Sequence, residues 1–150
     1  MVARDLMKWA VIASLFVTGL TAAYAGDVPA TLAGVKVVTA EEAKKLQDSG
    51  VPLIDTRVAA EYAEKTIKGA KNVPYKEKSA KEVDFDASKD DFDLSKLPGD
   101  KAAPIVFFCN GPECWKSYKA SVSAKKAGYS KINWLRGGFP EWAAKSLPTQ

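Results

Sequence analysis

Histidine is absent from this chain of 150 residues, and cysteine occurs only twice. Without histidine, the chain cannot form a Ser/His/Asp or Cys/His/Asn catalytic set, and it has no imidazole to ligate zinc or to shuttle protons. The attachment motif of a covalent haem also requires histidine. Because two cysteines alone make a weak metal site, we expect no metal and no other cofactor. Chemistry must then rest on cysteine, carboxylates, lysine, tyrosine, arginine or backbone amides.

Basic residues are not concentrated in any one stretch. The chain has 22 lysines and arginines against 18 acids, which gives a formal net charge of +4, and the two signs are interleaved. This distribution offers no basic patch, so we expect no nucleic-acid partner. With 47% hydrophobic and 27% charged residues, a chain of this length has room for one globular domain with a substantial core, and not for two.

The first residues have the pattern of a secretory signal peptide. Arg4 and Lys8 precede a mostly apolar run over residues 9–20, and Ala-Tyr-Ala at residues 23–25 matches the small-x-small pattern of a cleavage site. The apolar run is shorter than the ~20 residues of a membrane span. We therefore predict that residues 1–25 are removed, that the protein is exported to a bacterial periplasm, and that it keeps no stable membrane anchor.

The remaining sequence alternates short apolar runs with helical patterns. We predict a flexible lead over residues 26–34 and a single domain over residues 35–148. Strands are predicted at 35–38, 52–55, 104–108 and 132–135, with a further short strand after the turn at 67–74. Helices are predicted from the Thr39/Glu42 capping box to Gly50, and at 58–64, 116–126 and 140–145. Strands alternating with helices indicate an α/β fold with right-handed crossovers and a mainly parallel sheet.

A polar insertion separates the predicted strands at 67–74 and 104–108. It spans residues 76–100, and between residues 82 and 93 it carries six acids and one lysine. One interpretation is a solvated surface segment. The other is a docking site for a basic partner, and the charge pattern alone does not decide between them.

The residues after the most apolar predicted strand carry the candidate chemistry. The run at 104–108 ends at Cys109, and a loop up to Trp115 leads into a helix. Backbone N–H groups in such a loop converge on one point, and the helix N-terminus adds roughly half a positive charge there. Together they bind anions and stabilise a thiolate. We expect this cradle for a thiolate, persulfide or anion to consist of Asn110, Gly111, Pro112, Glu113, Trp115, Lys116 and Ser117.

Cys109 is therefore predicted to be a nucleophile that needs no histidine, and its alternative is a buried structural thiol. Asp55 also lies at the carboxyl end of a predicted strand, and an ion pair with Arg57 would support the loop from that position. Arg136, at the end of the last strand, is a further candidate to support the loop, although a packing role would explain an arginine at this position equally well. Trp115 is expected either to wall the site or to pack in the core.

Four fragments around this loop occur together in one known family. They are residues 53–57 (Leu-Ile-Asp-Thr-Arg) with Glu61 and Tyr62, residues 67–74 with Gly-Ala-x-Asn-x-Pro, residues 104–109 before and including the cysteine, and residues 135–142 with Leu-x-Gly-Gly-x-x-x-Trp. In this order they resemble the rhodanese-like domain family across residues 37–148. The resemblance implies a three-layer α/β fold, with helices on both faces of a mainly parallel central sheet.

The resemblance also implies a sulfurtransferase. The thiolate of Cys109 would take the outer sulfur of thiosulfate or a similar small anionic donor, release sulfite, and hold the sulfur as a persulfide. The persulfide would then pass to cyanide or to a thiol acceptor, which could belong to a partner protein. Two alternatives remain: a thiol–disulfide or persulfide redox module that uses both cysteines, and a rhodanese-like domain that binds partners without catalysis.

The loop departs from the family pattern at three places. Asn110 follows the cysteine where a basic residue is frequent, and the loop is longer by about two residues. Related phosphatases of this fold use Cys-x5-Arg, but Trp115 stands where that arginine would be, so we do not expect phosphatase activity. Cys114 is the third departure. It would resolve the persulfide, form a structural disulfide with Cys109, or remain a second unpaired thiol.

Overall fold

Five strands and four α-helices make up residues 28–150, the part of the chain that the computed structural model describes. In chain order they are β1 (Val35–Val37), α1 (Ala40–Asp48), β2 (Leu53–Asp55), α2 (Ala59–Glu64), β3 (Lys71–Asn72), β4 (Ile105–Phe108), α3 (Trp115–Lys126), β5 (Ile132–Leu135) and α4 (Gly138–Ala144). Single-turn 3-10 helices lie at Ala87–Lys89 and Leu94–Lys96. The predicted signal peptide, residues 1–25, lies outside the described residues. No helix in residues 28–150 is long and apolar enough to cross a membrane.

The strands form one parallel sheet in the order β1-β5-β4-β2-β3. The predicted α/β class and parallel sheet are therefore confirmed. β4 occupies the centre, and all four of its residues are buried. A strand buried on both faces has no polar side to expose, which explains why its sequence, Ile-Val-Phe-Phe, is a continuous apolar run.

Successive residues of the central strands supply two separate cores, one on each face of the sheet. Val106 and Phe108 pack with α1 and α4 in a cluster that includes Trp142. Ile105 and Phe107 pack on the opposite face with α3. Helices thus cover both faces of the sheet, which confirms the predicted three-layer arrangement.

Local signals in the sequence account for two of the helices. At α1, Glu42 N donates to Thr39 Oγ1 at 3.2 Å and Thr39 N donates to Glu42 Oε2 at 2.8 Å, which is the predicted capping box. On α3, a stripe of small residues is fully buried and brings the helix close to the sheet: Ser117, Ala120, Ser121 and Ala124.

From residue 28 onward, the segment predicted as a flexible lead over residues 26–34 contacts the domain. Val28 is buried in a third cluster with Trp115, Tyr118 and Trp134. The guanidinium of Arg136 donates to the carbonyl oxygens of Val28 at 2.6 Å and Pro29 at 3.0 Å. Of the two roles considered for Arg136, support of the loop after Cys109 or packing, these contacts correspond to packing: Arg136 holds this segment on the domain.

The polar insertion, residues 76–100, is solvated only in part. Phe85 and Leu97 are buried, and the fully buried Lys119 of α3 bonds to the insertion. Its ammonium group donates to Ser79 Oγ and Ala80 O, each at 2.8 Å, and forms an ion pair of 2.8 Å with Glu77. Because a buried ammonium needs polar partners, Lys119 fixes this end of the insertion over α3.

Asp90, from the middle of the insertion, binds the same end. Its Oδ1 accepts hydrogen bonds from the amides of Lys78 and Ser79, each at 2.7 Å, and its Oδ2 accepts from Tyr75 and from Ser79 Oγ, each at 2.6 Å. Burial raises the pKa of this carboxyl, but hydrogen bonds from Ser79 and Tyr75 outweigh it and bring the pKa from 3.8 to about 2. The acidic segment therefore contains a structural carboxylate.

Replacement of Asp90 by asparagine should destabilise the fold at neutral pH. The amide offers one acceptor oxygen to four donors, and we expect a loss of about 1–3 kcal/mol in the free energy of unfolding. Because the folded state lowers the pKa of Asp90, the wild type should lose this stabilisation as pH falls from about 4 towards 2. Over the same pH range the free energy of unfolding of Asp90→Asn should fall less. Urea unfolding at several pH values measures both effects.

The neighbouring Asp91→Asn variant is the matched control. The Asp91 carboxylate forms an exposed ion pair with Lys76, at 3.6 Å, and such pairs contribute little to stability. Equal losses in the two variants would contradict the role given to Asp90.

Candidate functional site

Cys109 directly follows the central strand at the carboxyl edge of the sheet. In the register of β2 and β4, Asp55 lies opposite Phe108, so the segments after both strands meet at this edge. The amide and the hydroxyl of Thr56 donate to the carbonyl oxygen of Phe108 at 3.0 and 2.9 Å. Cys109 itself has 0% of its surface exposed. The carboxyl ends of parallel strands are where active sites of α/β sheets form.

Cys109 and Cys114 form a disulfide, with their Cα atoms 6.2 Å apart. The interpretation of Cys114 as an unpaired thiol is therefore wrong. A structural disulfide and a disulfide formed during catalysis both remain compatible with this bond. Between the cysteines the loop turns back tightly, since the amide of Cys114 donates to the carbonyl oxygen of Gly111 at 3.1 Å. Gly111 has a φ of +126°, which glycine adopts most readily.

The disulfide places both sulfurs at the N-terminus of α3. Cys114 is the N-cap residue of this helix of 12 residues, and no side chain caps its first turn. The Sγ of Cys109 is bonded to this N-cap side chain, so it lies close to the unpaired amides and the positive end of the helix dipole. After reduction, this position stabilises a thiolate. The predicted strand–cysteine–loop–helix arrangement is therefore present.

A buried ion pair lies next to the loop. The Arg57 guanidinium donates to both carboxylate oxygens of Asp55 at 2.8–3.2 Å, and it also reaches the carbonyl oxygen of Lys65 at 2.7 Å. Thr66 Oγ1 supplies a further hydrogen bond to Asp55 at 2.8 Å. The remaining nitrogen of the guanidinium, Nη1, lies 3.4 Å from Oδ1 of Asn110. The ion pair predicted to support the loop thus contacts the residue that follows Cys109.

Asn110 has a second partner on α2. Its side-chain amide donates to Glu61 Oε2 at 2.6 Å, so the side chain is held between a guanidinium and a carboxylate. A cavity of about 360 Å³ opens beside it, lined by Arg57, Glu61, Glu64, Lys65, Asn110 and Phe139. Glu61 was not among the predicted site residues, although it belongs to the Glu-Tyr fragment of the family resemblance.

The segment after β5 supports the loop from the other side. The amide of Phe139 donates to the carbonyl oxygen of Cys109 at 2.8 Å, and the Phe139 ring lies 4.8 Å from the Arg57 guanidinium. Gly138 touches the loop backbone: a Cβ there would come within 2.5 Å of the Gly111 amide nitrogen and closer still to the Cys109 carbonyl oxygen. The sequence signal for this contact is the Gly-Gly pair at 137–138, which belongs to the family fragment at 135–142.

The predicted cradle residues divide into two groups. Asn110, Pro112 and Glu113 are exposed and Lys116 is half-buried, so these lie on the open side of the loop. Trp115 is buried and stacks edge to face on Tyr118 at 5.3 Å, which makes it a core residue and not a wall of the site. Ser117 is also buried, where its hydroxyl accepts a hydrogen bond from the Trp134 indole at 2.9 Å. Residues 28–150 contain no cluster of ligands suited to a metal ion.

Comparison with known proteins gives one family and several similar folds. A family model described as the rhodanese-like domain matches residues 39–145. The polysulfide-sulfur transferase homodimer from Wolinella succinogenes is 21% identical, with a TM-score of 0.58, covering 79% of this chain and 80% of that chain. A rhodanese-like domain from Anabaena sp. is 23% identical, with a TM-score of 0.54 and coverage of 75% and 76%.

The thiosulfate sulfurtransferase from Pseudomonas aeruginosa is 20% identical, with a TM-score of 0.58. The match covers 77% of this chain but 20% of that longer chain. No curated protein matches the sequence. At these identities the structural likeness establishes the fold.

Replacement of Gly138 by alanine should disrupt the loop. Gly138 has a φ of +65°, and the added methyl group would overlap the backbone of Cys109 and Gly111. Left-handed backbone alone costs a non-glycine residue about 1–2 kcal/mol. Because the overlap adds to this cost, the free energy of unfolding should fall by more than that amount. Thermal or urea unfolding of the oxidised protein measures the difference.

Gly50→Ala is the matched control, because Gly50 also has a positive φ, +96°, but open space around its Cβ position. It should show the backbone cost alone. If Gly138→Ala is no less stable than Gly50→Ala, the contact between Gly138 and the loop does not constrain the fold.

Proposed function

Because the chain belongs to the rhodanese-like domain family, we propose that it is a sulfurtransferase with Cys109 as its nucleophile. A sulfane sulfur passes from thiosulfate or a similar small anionic donor to Cys109, and from there to a thiol or cyanide acceptor. The observation that carries the proposal is the position of Cys109, which joins the end of the central strand to the uncapped N-terminus of α3. We further propose that the protein acts after export, because disulfides such as Cys109–Cys114 persist in oxidising compartments.

The reaction consists of two displacements at sulfur. In the first, the reduced Cys109 thiolate attacks the outer sulfur of thiosulfate, the sulfur–sulfur bond of the donor breaks, and sulfite leaves with the electron pair. In the second, an acceptor thiolate or cyanide attacks the outer sulfur of the persulfide and restores the Cys109 thiolate. Neither displacement requires a proton transfer when the nucleophile is already ionised. A chain without histidine can therefore perform both.

The surrounding residues act on Cys109 by position and charge. The N-terminus of α3 offers unpaired amides to a thiolate or a persulfide anion. Phe139 and Gly138 hold the backbone of Cys109 from one side, and Arg57 and Glu61 hold Asn110 from the other. Support from two sides keeps Cys109 beside the N-terminus of α3, where the helix dipole favours a negative charge that develops on sulfur.

A second candidate function rests on the disulfide itself. A thiol–disulfide or persulfide redox module would cycle between the Cys109–Cys114 bond and the two thiols. In this case the bond would be the product of each turnover. Release of sulfide from persulfidated protein, lost on Cys114→Ser, would favour this function over transfer to an external acceptor.

The nucleophile can be identified by intact mass. After reduction, removal of the reductant and incubation with thiosulfate, the wild type should gain the mass of one sulfur atom. Cys109→Ser should gain nothing, whereas Cys114→Ser, the control that also lacks the disulfide, should still gain the sulfur. A wild type that gains no mass would refute the proposed transfer, and a gain by Cys109→Ser would assign it to another group.

The charge around the cavity should affect the choice of donor. Glu61 and Glu64 are acidic, and Arg57 is already paired with Asp55, which leaves Lys65 as the unpaired cation of the lining. A dianion such as thiosulfate is repelled by such a lining, and a neutral organic trisulfide is not. Glu61→Gln keeps an oxygen that accepts from Asn110 but removes the charge. We expect it to raise kcat/KM for thiosulfate roughly threefold, a change typical of one partly screened charge, and to leave the trisulfide unaffected.

Asp48→Asn, at the far end of α1, makes the same change of charge away from the loop and should alter neither value. An equal effect of Glu61→Gln on both donors would show that Glu61 acts by positioning Asn110 and not by charge.

A further inference from the structure

The two cysteines of the disulfide differ in their exposure to solvent. Cys109 has 0% of its surface exposed, and it lies under the contact between the loop and Gly138. Cys114 is half-buried, and the two residues before it, Pro112 and Glu113, are exposed. An external group therefore approaches the bond from the side of Cys114.

This difference decides which sulfur can be attacked. Thiol–disulfide exchange requires a thiolate to reach one sulfur of the bond, and the other sulfur then leaves. Attack at Cys114 makes Cys109 the leaving group. Cys109 is a favourable leaving thiolate, because the N-terminus of α3 stabilises negative charge at this position.

We propose that the oxidised form is a locked state of the enzyme, and that a dithiol protein unlocks it by attack on Cys114. This inference rests on the proposed function, since it concerns how Cys109 becomes available for sulfur transfer. The incoming thiolate forms a bond to Cys114 Sγ, the Cys109–Cys114 bond breaks, and the electron pair leaves with Cys109. Cys114 is thus the exchange cysteine and Cys109 the transfer cysteine.

The same geometry explains why the reductant is a dithiol. Once the mixed disulfide has formed, Cys109 lies in the same short loop as Cys114, with their Cα atoms 6.2 Å apart in the closed form. Its thiolate would re-attack Cys114 and expel a monothiol, because the internal reaction has a high effective concentration. A second thiol on the partner competes with this reclosure. This second thiol attacks the partner's sulfur in the mixed disulfide. The partner is released with a disulfide between its own two cysteines, and Cys114 is released as a thiol.

A mixed disulfide trapped on the wild type tests the proposal directly. The oxidised protein is mixed with a dithiol oxidoreductase whose second cysteine is replaced by serine. The reaction is stopped with acid at early times, before Cys109 re-attacks Cys114 and expels the partner. Cleavage after Glu113 separates Cys109 from Cys114, so mass spectrometry assigns the linkage. We expect the partner on Cys114 in about tenfold excess or more over Cys109, as access decides which sulfur is attacked. Equal amounts, an excess on Cys109, or no reduction of the bond by the intact dithiol protein would overturn the proposal.

Two single-cysteine variants give an independent measurement that reclosure cannot affect. Cys109→Ser and Cys114→Ser are each loaded with thionitrobenzoate on the remaining cysteine, and the dithiol protein is added. The chromophore should leave Cys114 about ten times faster than Cys109, for the same reason of access. Similar rates would contradict the assignment. Persulfide formation on chemically reduced protein does not depend on this result, so a failure here and a failure of the proposed sulfur transfer remain distinguishable.

Discussion

The parallel pairing of β4 with β2 and β5 is the constraint on which the site depends. Parallel strands end at one edge of the sheet, so the segments that follow all three strands meet around Cys109. The segment after β2 supplies the ion pair of Asp55 and Arg57, and the segment after β5 supplies Gly138 and Phe139. The loop of six residues is closed by its own disulfide and turn. These two neighbours, one polar and one in direct backbone contact, hold it in place at the edge of the sheet.

The ion pair of Asp55 and Arg57 makes this edge of the sheet sensitive to substitution. Asp55 and Arg57 are both buried, and removal of one partner of such a pair costs about 3–5 kcal/mol because the other charge is left without compensation. Hydrogen bonds from Thr66 and to the Lys65 carbonyl satisfy the remaining atoms of the pair. The guanidinium is therefore held in one orientation, with Nη1 towards Asn110. This rigidity is consistent with a site that works by fixed dipoles and not by a movable proton carrier.

Much of the fold could be predicted because its signals are local. The capping box at Thr39, the apolar run of β4 and the small residues of α3 each act within one or two turns of chain. The errors concern contacts between distant residues. Arg136 reaches carbonyl oxygens more than a hundred positions earlier. Asp90 and Lys119 order an insertion whose composition indicated either a solvated segment or a docking site. Glu61 and Phe139 were missed as site residues for the same reason, since each gains its role from a loop elsewhere in the chain.

The sequence by itself determined the chemistry that is possible: no histidine, and two cysteines in a loop between a buried strand and a helix. Only the tertiary structure decided how the cysteines relate to each other and to solvent. The spacing of the two cysteines allows a bond between them. The burial of each cysteine depends on the residues that cover the loop, and these are Gly138 and Phe139, which follow β5. With these residues in place, Cys109 is buried and Cys114 is half-buried. The reason is physical: a bond between nearby residues is a local property, whereas access to each sulfur depends on the packing of the whole sheet edge.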